Sequence, residues 1–362
     1  MTINKILAIN EGKTTEGIRE FLRDLLVQKH LDALLVLLDK GSPGSPAMTL
    51  VSDPVLLQYA KPLAPVMPRN AAQIISRMTR VAASKQKIGV VLRPCEIRAL
   101  IELVKLKQAS LDNLTVIGID CPGTCSVADY KQLSDNSLTQ ELPLRQACQV
   151  CEFPSPDNTD IAVGLFGMDA SRGILIQGST QNGEKLLTYS GLQPVAEDDI
   201  KKRQQALADV KAKRIENRDK FFTRLNSEIT GTDKLLTTIA ACTACHNCRV
   251  MCPICYCREC FFDSPTFEFE ADNYLGWAER KGAMKMPADS LLFHLTRLNH
   301  MVTSCVGCGM CSEACPNNVP VFDIFRLVGA RVQSEFSYIP GRSLDESPPL
   351  TVFKEDELKE IG

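Results

Sequence analysis

Cys242-Thr-Ala-Cys245-His-Asn-Cys248-Arg-Val-Met-Cys252-Pro253 and Cys305-Val-Gly-Cys308-Gly-Met-Cys311-Ser-Glu-Ala-Cys315-Pro316 are the stretches from which the architecture is read. Both carry the spacing Cys-x2-Cys-x2-Cys-x3-Cys-Pro of a bacterial [4Fe–4S] run, in which the cysteine before proline ligates the other cluster. Three closely spaced thiolates on a tight loop cap three corners of a cubane, and the fourth corner is reached from elsewhere in the fold. A single run would also fit zinc, which takes paired Cys-x2-Cys units. Two complete copies, each ending in Cys-Pro, point to two [4Fe–4S] clusters. The spacing gives one cluster Cys242, Cys245, Cys248 and Cys315, and the other Cys305, Cys308, Cys311 and Cys252.

The rest of the chain sets the context. At 362 residues it is long enough for two domains, with room for a third. A hydrophobic content of 44% and a charged content of 23% describe an ordinary globular protein. A net charge of −2 leaves no electrostatic footprint for nucleic acid or an anionic membrane. One Trp and six Tyr exclude an aromatic-stacking nucleic-acid binder. No apolar run approaches the ~20 residues of a transmembrane helix, and Met1-Thr-Ile-Asn-Lys5 lacks the pattern of a signal peptide. Sixteen cysteines without a secretory signal imply metal ligation in a reducing compartment, and a cytoplasmic location is expected.

Upstream, the pattern is α/β. Lys5 to Ile9 reads as a strand. An amphipathic helix from Thr14 follows, with Ile18, Phe21, Leu22, Leu25 and Leu26 on one face, and then a buried strand from Asp32 to Leu38. Together these predict a βαβ unit opening the sheet. Ala71 to Ser84 predicts a helix, and Lys87 to Leu92 a buried strand that runs into a helix beginning at Arg93-Pro94-Cys95-Glu96. Cys95 sits at that helix N-terminus, where the dipole favours a thiolate, although a free cysteine is also commonly just buried. A strand from Leu114 to Ile119 delivers Cys121, with Cys125 close behind, and Cys148-Gln-Val-Cys151 follows in a loop. Open α/β sheets bind ligands at the C-terminal ends of their strands. Such long separations do not by themselves decide between a third four-thiolate site and buried cysteines.

Asp160 to Leu165, Gly173 to Ser179 and Lys185 to Thr188 read as short strands. Asp198 to Ile229 reads as a long helix with an apolar stripe of Ile200, Leu207, Val210, Ile215, Phe221, Phe222 and Leu225. Its basic run reads as a solvated face. Pro287 to Met301 and Val319 to Val332 predict helices around the second run, so this part is expected to be mainly α-helical. His294 and His300 read as helix residues rather than ligands, since four thiolates per cluster are available. Cys255, Cys257 and Cys260 are open: they could pack against the clusters, replace Cys252, or help form another site. The boundaries expected are 1–230, 231–335 and a 336–362 tail that wraps a partner.

Residues 1 to about 230 resemble the coenzyme F420-reducing hydrogenase and formate dehydrogenase β-subunit family. Arg93-Pro94-Cys95-Glu96-Ile97-Arg98-Ala99-Leu100 is similar to the family's Gly-Thr-Pro-Cys-Gln-x-x-Ala-Leu turn. Ile117-Gly-Ile-Asp-Cys121-Pro-Gly-Thr is similar to its strand ending in Cys. Cys148-Gln-Val-Cys151 through Asp160-Ile-Ala-Val-Gly164 is similar to its Cys-x2-Cys followed by Ala-Asp-Ile-x-x-Gly. The resemblance implies a third [4Fe–4S] cluster on Cys95, Cys121, Cys148 and Cys151, with Cys125 spare, beside an FAD that exchanges hydride with F420. It implies a flavin environment near Thr15, Gly17, Arg93, Glu96 and Arg98. Thr15-Glu16-Gly17 stands where the family has Ser-Gly-Gly, and Leu92-Arg93-Pro94 where it has Gly-Thr-Pro. The C-terminal part is similar to the helical two-cluster, ferredoxin-like modules of heterodisulfide-reductase-type and formate dehydrogenase subunits.

Two functions follow as expectations. One is an iron–sulfur flavoprotein subunit of an anaerobic, oxygen-sensitive redox complex. It would pass electrons between a hydride carrier (F420 or a nicotinamide), through FAD, and a hydrogenase, formate dehydrogenase or heterodisulfide-reductase-like partner. The other is a flavin-free relay carrying single electrons between subunits. Ferredoxin is a further candidate partner in either case. No acid–base dyad or nucleophile is evident, so the chemistry would reside in cofactors.

Overall fold

The computed structural model describes residues 3–40, 44–133, 142–187, 192–267, 270–282 and 288–352. Its centre is an eight-stranded sheet of β1 (Ile3–Ala8), β2 (Ala33–Leu38), β3 (Ala47–Val51), β4 (Ile88–Leu92), β5 (Leu114–Ile119), β6 (Ile161–Gly164), β7 (Gly173–Gly178) and β8 (Leu192–Pro194). The strand order is β3-β2-β4-β5-β6-β7-β1-β8. Strands β2, β4, β5 and β6 are parallel and buried along their whole length, which explains their unbroken apolar sequences. Strands β3, β7, β1 and β8 join antiparallel at the two sides.

The helices are α1 (Thr14–Val27), α2 (Ala71–Thr79), α3 (Pro94–Lys105), α4 (Val127–Tyr130), α5 (Gln146–Gln149), α6 (Gln181–Leu186) and α7 (Glu197–Ile229). Beyond them lie α8 (Thr232–Ile239), α9 (Asn247–Val250), α10 (Ala271–Lys281), α11 (Ala288–Met301), α12 (Met310–Glu313) and α13 (Val321–Glu335). The chain is thus a mixed α/β sheet followed by a helical region.

Two expectations are corrected. β1 and β2 run in the same direction but are not neighbours, because β4, β5, β6 and β7 lie between them. Strand β1 instead pairs antiparallel with β7. The strand expected over Lys185 to Thr188 is replaced by α6. Thr180 caps that helix by accepting from Gly183 N, and a Cβ at Gly183 would lie 1.9 Å from the Asp160 carbonyl oxygen. Thr188 itself lies outside the described residues.

The sheet separates two cores. Under α1, Phe21, Leu22 and Leu25 pack with Val36, Ile117, Ile174 and Ile176. On the other face, Leu35, Val90 and Val116 join α2 and α3 to Ile254, Phe293 and Phe325 of the helical region in one continuous apolar cluster. A second tie is α7, about 50 Å long at 1.5 Å per residue. Its buried residues are Arg203, Arg214, Phe221 and Leu225, which lie 11, 7 and 4 residues apart and share one face. That stripe is rotated from the apolar one expected, because its upper half is arginine.

After α13, residues 338–341 turn back onto the sheet region. Tyr338 Oη donates to Glu102 Oε1 at 2.6 Å and Gly341 N donates to the same oxygen at 2.8 Å. Arg98 Nε donates to the Pro340 carbonyl at 2.8 Å. Residues 338–341 therefore strap this chain's own α3.

Candidate metal centres

Both cysteine runs fold alike. Each makes a loop into a one-turn helix, α9 or α12, with two left-handed residues at matching positions. These are Ala244 (φ 52°) and His246 (φ 57°) in the first run, and Gly307 (φ 70°) and Gly309 (φ 74°) in the second. Non-glycine residues take this conformation at a cost, so the first loop is held by its surroundings. Gly309 has an added reason to be glycine: a Cβ there would lie 2.4 Å from Ala147 Cβ, in the helix that carries Cys148.

The thiols gather in fours. Burial pushes Cys248 up to about 11, against the pull of Arg297 and with the added charges of Cys242, Cys245 and Cys315. In the second group burial raises Cys305, Cys308 and Cys311, with Cys308 at about 12, and Cys252 is the thiol that weighs most on all three. This matches the fourth member that the spacing gives to that run. Backbone amides point at the sulfurs: Ala244 N to Cys242 at 3.4 Å and Val319 N to Cys315 at 3.3 Å. His294, buried on α11, places Nε2 3.4 Å from Cys242 Sγ, and burial pulls its imidazole down to about 4. It is therefore a neutral neighbour of that sulfur at pH 7.

The sheet builds the third group. Cys95 stands in the first turn of α3, just past β4, and Cys121 follows β5. Cys148 lies in α5 and Cys151 just beyond it. Burial raises Cys95 well above a normal thiol, and the charges of Glu96, Cys121, Cys308 and Cys151 add to this. Burial raises Cys121 to about 11, opposed by Arg93 and reinforced by Cys148 and Cys151. Cys148 moves the other way. Burial raises it, but Arg145 and the hydroxyl and amide of Thr124 outweigh burial and hold it low. Among the described residues no three His, Cys, Asp or Glu side chains converge as ligands of a single ion. A cubane takes its thiolates at separate corners, and each set of four has the donor chemistry for one. The charge felt between Cys95 and Cys308 puts the third group beside the second.

The remaining cysteines fall outside these sets. Cys125 is buried and its Sγ is 3.1 Å from the Pro65 carbonyl. Cys255 is raised to about 12 by burial and by Cys252 next to it, Cys257 is exposed, and Cys260 is half-buried.

The residues expected around a flavin do not form one site. Glu96 is committed to the backbone: Oε1 accepts from Ala71 N and Oε2 from Arg93 N, both at 2.9 Å, so one buried carboxylate caps α2 and α3. Arg93 reaches the Ala64 carbonyl and acts on Cys121. Thr15 and Gly17 lie in the first turn of α1, after β1, a strand that stands four positions from β4 in the sheet. Arg98 lines a cleft. The cleft measures about 530 Å³ and is bounded by Pro94, Phe153, Asp157, Lys211 and Arg342 among others, with the Arg98 guanidinium 3.6 Å from the Phe153 ring centroid.

Sequence reading missed the arginines. Arg203 makes a buried two-pronged ion pair with Asp120, the residue before Cys121, with Nη2–Oδ1 at 2.9 Å. Asp120 Oδ2 also accepts from Leu165 N and Phe166 N. Arg214 donates to the carbonyls of Cys121, Pro122 and Cys151. The 11-residue spacing between these two arginines, continued to Phe221, was the signal available.

The 4Fe-4S dicluster domain family matches residues 238–319. The chain is 28% identical over 327 residues to F420-dependent formate dehydrogenase subunit beta of Methanocaldococcus jannaschii, covering 78% of this chain and 80% of that one. It is 26% identical over 304 residues to F420-dependent formate dehydrogenase 1 subunit beta of Methanococcus maripaludis, covering 73% and 75%. A chain of the xenon-derivatised F420-reducing [NiFe] hydrogenase complex of Methanosarcina barkeri aligns over 64% of this chain and 93% of that one. Its TM-score is 0.42 and its identity 12%, too loose a likeness to build on. No helix among the described residues is long and apolar enough to cross a membrane. The cysteine-rich segment thus matches a 4Fe-4S dicluster domain, and the chain as a whole is similar to the β subunits of F420-dependent formate dehydrogenases.

Proposed function

We propose that the chain conducts electrons through three [4Fe–4S] clusters in series, held by Cys95/Cys121/Cys148/Cys151, by Cys305/Cys308/Cys311/Cys252 and by Cys242/Cys245/Cys248/Cys315. The observation that carries this is the neighbourhood of the thiol groups: Cys308 of the middle group acts on Cys95 of the sheet group, and Arg297 is shared between Cys248 of the last group and Cys252 and Cys311 of the middle one. Cys245 of the last group is exposed, which suits an exit to a partner. The sheet portion to about residue 230 is the input unit in this reading, and 231–335 the conducting one.

The flavin extends the reading. An FAD accepts hydride and releases single electrons, which clusters need because each passes one at a time. The cleft beside Cys151 has the volume and the mixed lining of a ligand site. Phe153 and Leu207 would pack on a planar ring, with Arg98, Lys211 and Arg342 supplying positive charge and Asp157 an acceptor. F420 or a nicotinamide would be the hydride donor, and a formate dehydrogenase or hydrogenase catalytic subunit the partner, the relatives' names favouring formate dehydrogenase. The flavin-free relay is favoured by a different observation. Arg203 fills the crevice at the ends of β5 and β6, where a Cβ on Gly164 would meet its guanidinium at 2.7 Å.

Acid-released flavin and iron, measured on the anaerobically purified complex and assigned to this chain, decide between the two. One FAD with about twelve irons, four per cluster, supports the converter. Twelve irons without flavin leave a wire, and about eight irons would refute the third cluster. Ala208→Trp should expel flavin while leaving the iron; full flavin content would move the flavin out of the cleft.

A further inference from the structure

Two arginines stand where the thiol groups meet. Arg297 on α11 is 3% exposed. Its Nη1 lies 3.0 Å from Cys248 Sγ and its Nη2 donates to the Cys248 carbonyl at 3.2 Å. The guanidinium lies over the rings of Phe293 and Phe325, 5.4 and 4.9 Å from their centroids. The largest charges acting on it are all thiols: Cys248 from one group, Cys252 and Cys311 from the next, and Cys255. Its Nε has no hydrogen-bond partner.

Arg145 holds the other junction. Its Nε donates to Thr124 Oγ1 at 2.9 Å, and that hydroxyl lies 3.3 Å from Cys148 Sγ. Nη2 is 3.7 Å from Cys148 Sγ, while Nη1 is 3.5 Å from Met310 Sδ, next to Cys311. The charges acting on it are Cys148 and Cys95 of the sheet group, then the Glu313 carboxylate and Cys308 of the middle group.

A guanidinium keeps its charge at any working pH, and burying one is costly unless an anion answers it. Around Arg297 the available anions are thiolates, which belong to two different groups. An anionic four-thiolate cluster gains negative charge on reduction, so a fixed cation nearby favours its reduced form, and the effect falls with distance.

We propose that Arg297 and Arg145 are positioning residues for electron flow, each holding one permanent positive charge at the junction of two successive clusters and raising the reduction potentials of both. The proposal rests on the three-cluster reading. It makes the middle cluster sensitive to both arginines and each outer cluster sensitive to one.

The test is a redox titration of the anaerobic complex followed by electron paramagnetic resonance, on wild type, Arg297→Gln, Arg145→Gln and Arg297→Lys. Arg297→Gln should lower both dicluster potentials and leave the sheet cluster in place. Arg145→Gln should lower the sheet and middle clusters and spare the Cys242/Cys245/Cys248/Cys315 cluster. Each lost charge should change the reduced-to-oxidised ratio at fixed potential by about tenfold at this range, or about 59 mV for one electron. Arg297→Lys keeps the charge and should hold potentials close to wild type; it also carries the test if Arg297→Gln fails to assemble its clusters. Unmoved potentials in the Gln variants, a middle cluster responding to only one of them, or a Lys variant indistinguishable from Gln would each overturn the inference. A wild-type protein with fewer than three clusters would instead overturn the wire reading, before any arginine is changed.

Discussion

The dicluster segment and the sheet edge each gather four-thiol sets, by opposite means. In the dicluster segment, three ligands of each set sit within seven residues, and only the crossed fourth, Cys315 or Cys252, needs the tertiary fold. At the sheet edge, Cys95, Cys121 and the Cys148–Cys151 pair come from three separate segments, and β4 and β5 lying side by side bring them together. The first kind of site is written in spacing and the second in topology. A substitution that disturbs the sheet should therefore damage the second and leave the first largely whole.

The largest expected effect tests that separation directly. Cys95→Ser with Cys148→Ser should remove about four of about twelve irons and leave the dicluster paramagnetic signals at full strength. Cys308→Ser should remove the middle cluster's signal and stop electron transfer end to end. An unchanged iron count in the first variant, or an intact spectrum in the second, would break the assignment.

A subtler lesion strikes the topology alone. Asp120→Ala leaves Arg203 buried and unpaired and frees the amides of Leu165 and Phe166. Breaking one partner of such a pair should cost about 3–5 kcal/mol, read as a lower denaturant midpoint. Loss of the sheet cluster before the dicluster pair on mild denaturation would sharpen the contrast, and simultaneous loss would erase it.

The contact between the two regions is addressed by Gly309→Ala. The new methyl would meet Ala147 in a backbone of φ +74°, at about 1–3 kcal/mol for overpacking and roughly 1 kcal/mol for the conformation. Ala147→Gly in the same chain should recover the packing part; no recovery would place the strain elsewhere.

The smallest effect concerns the end of the α7 strut. Burial pushes Asp323 up to about 6, against the pull of Arg224, whose Nη2 is 3.8 Å away. Below pH 4 the carboxyl is protonated in both folded and unfolded chains. Between pH 4 and 6 the unfolded chain ionises first, so stability falls as pH rises, by on the order of 1–2 kcal/mol in all. Asp323→Asn should flatten that part of the melting-temperature profile, and an unchanged slope would assign it to other groups.

What was legible follows the same division. The buried parallel strands were readable because both faces are covered and their sequences are apolar throughout. Strand β1 was readable as a strand, but its place beside β7 was not, since pairing depends on how the chain crosses the sheet. The stripe on α7 was misplaced because its buried face begins with Arg203 and Arg214, whose partners are a carboxylate and backbone carbonyls distant in sequence. Glu96 looked like a cofactor contact from its turn, whereas its two oxygens are taken by backbone amides of two helices. The contact of residues 338–341 with α3 was not legible because its anchor, Glu102, is more than 200 positions away.

By itself the sequence determined the dicluster segment, since cubane geometry restricts which spacings can cap three corners from one loop. It also determined the α/β character of the first half, through the periodicity of its apolar residues. Only the tertiary structure decided which buried arginines stand beside the cysteines, with Arg297 against Cys248 and Arg145 against Cys148. Electrostatic balance in a protein interior is set by distance and dielectric, and neither is encoded in the order of residues along the chain.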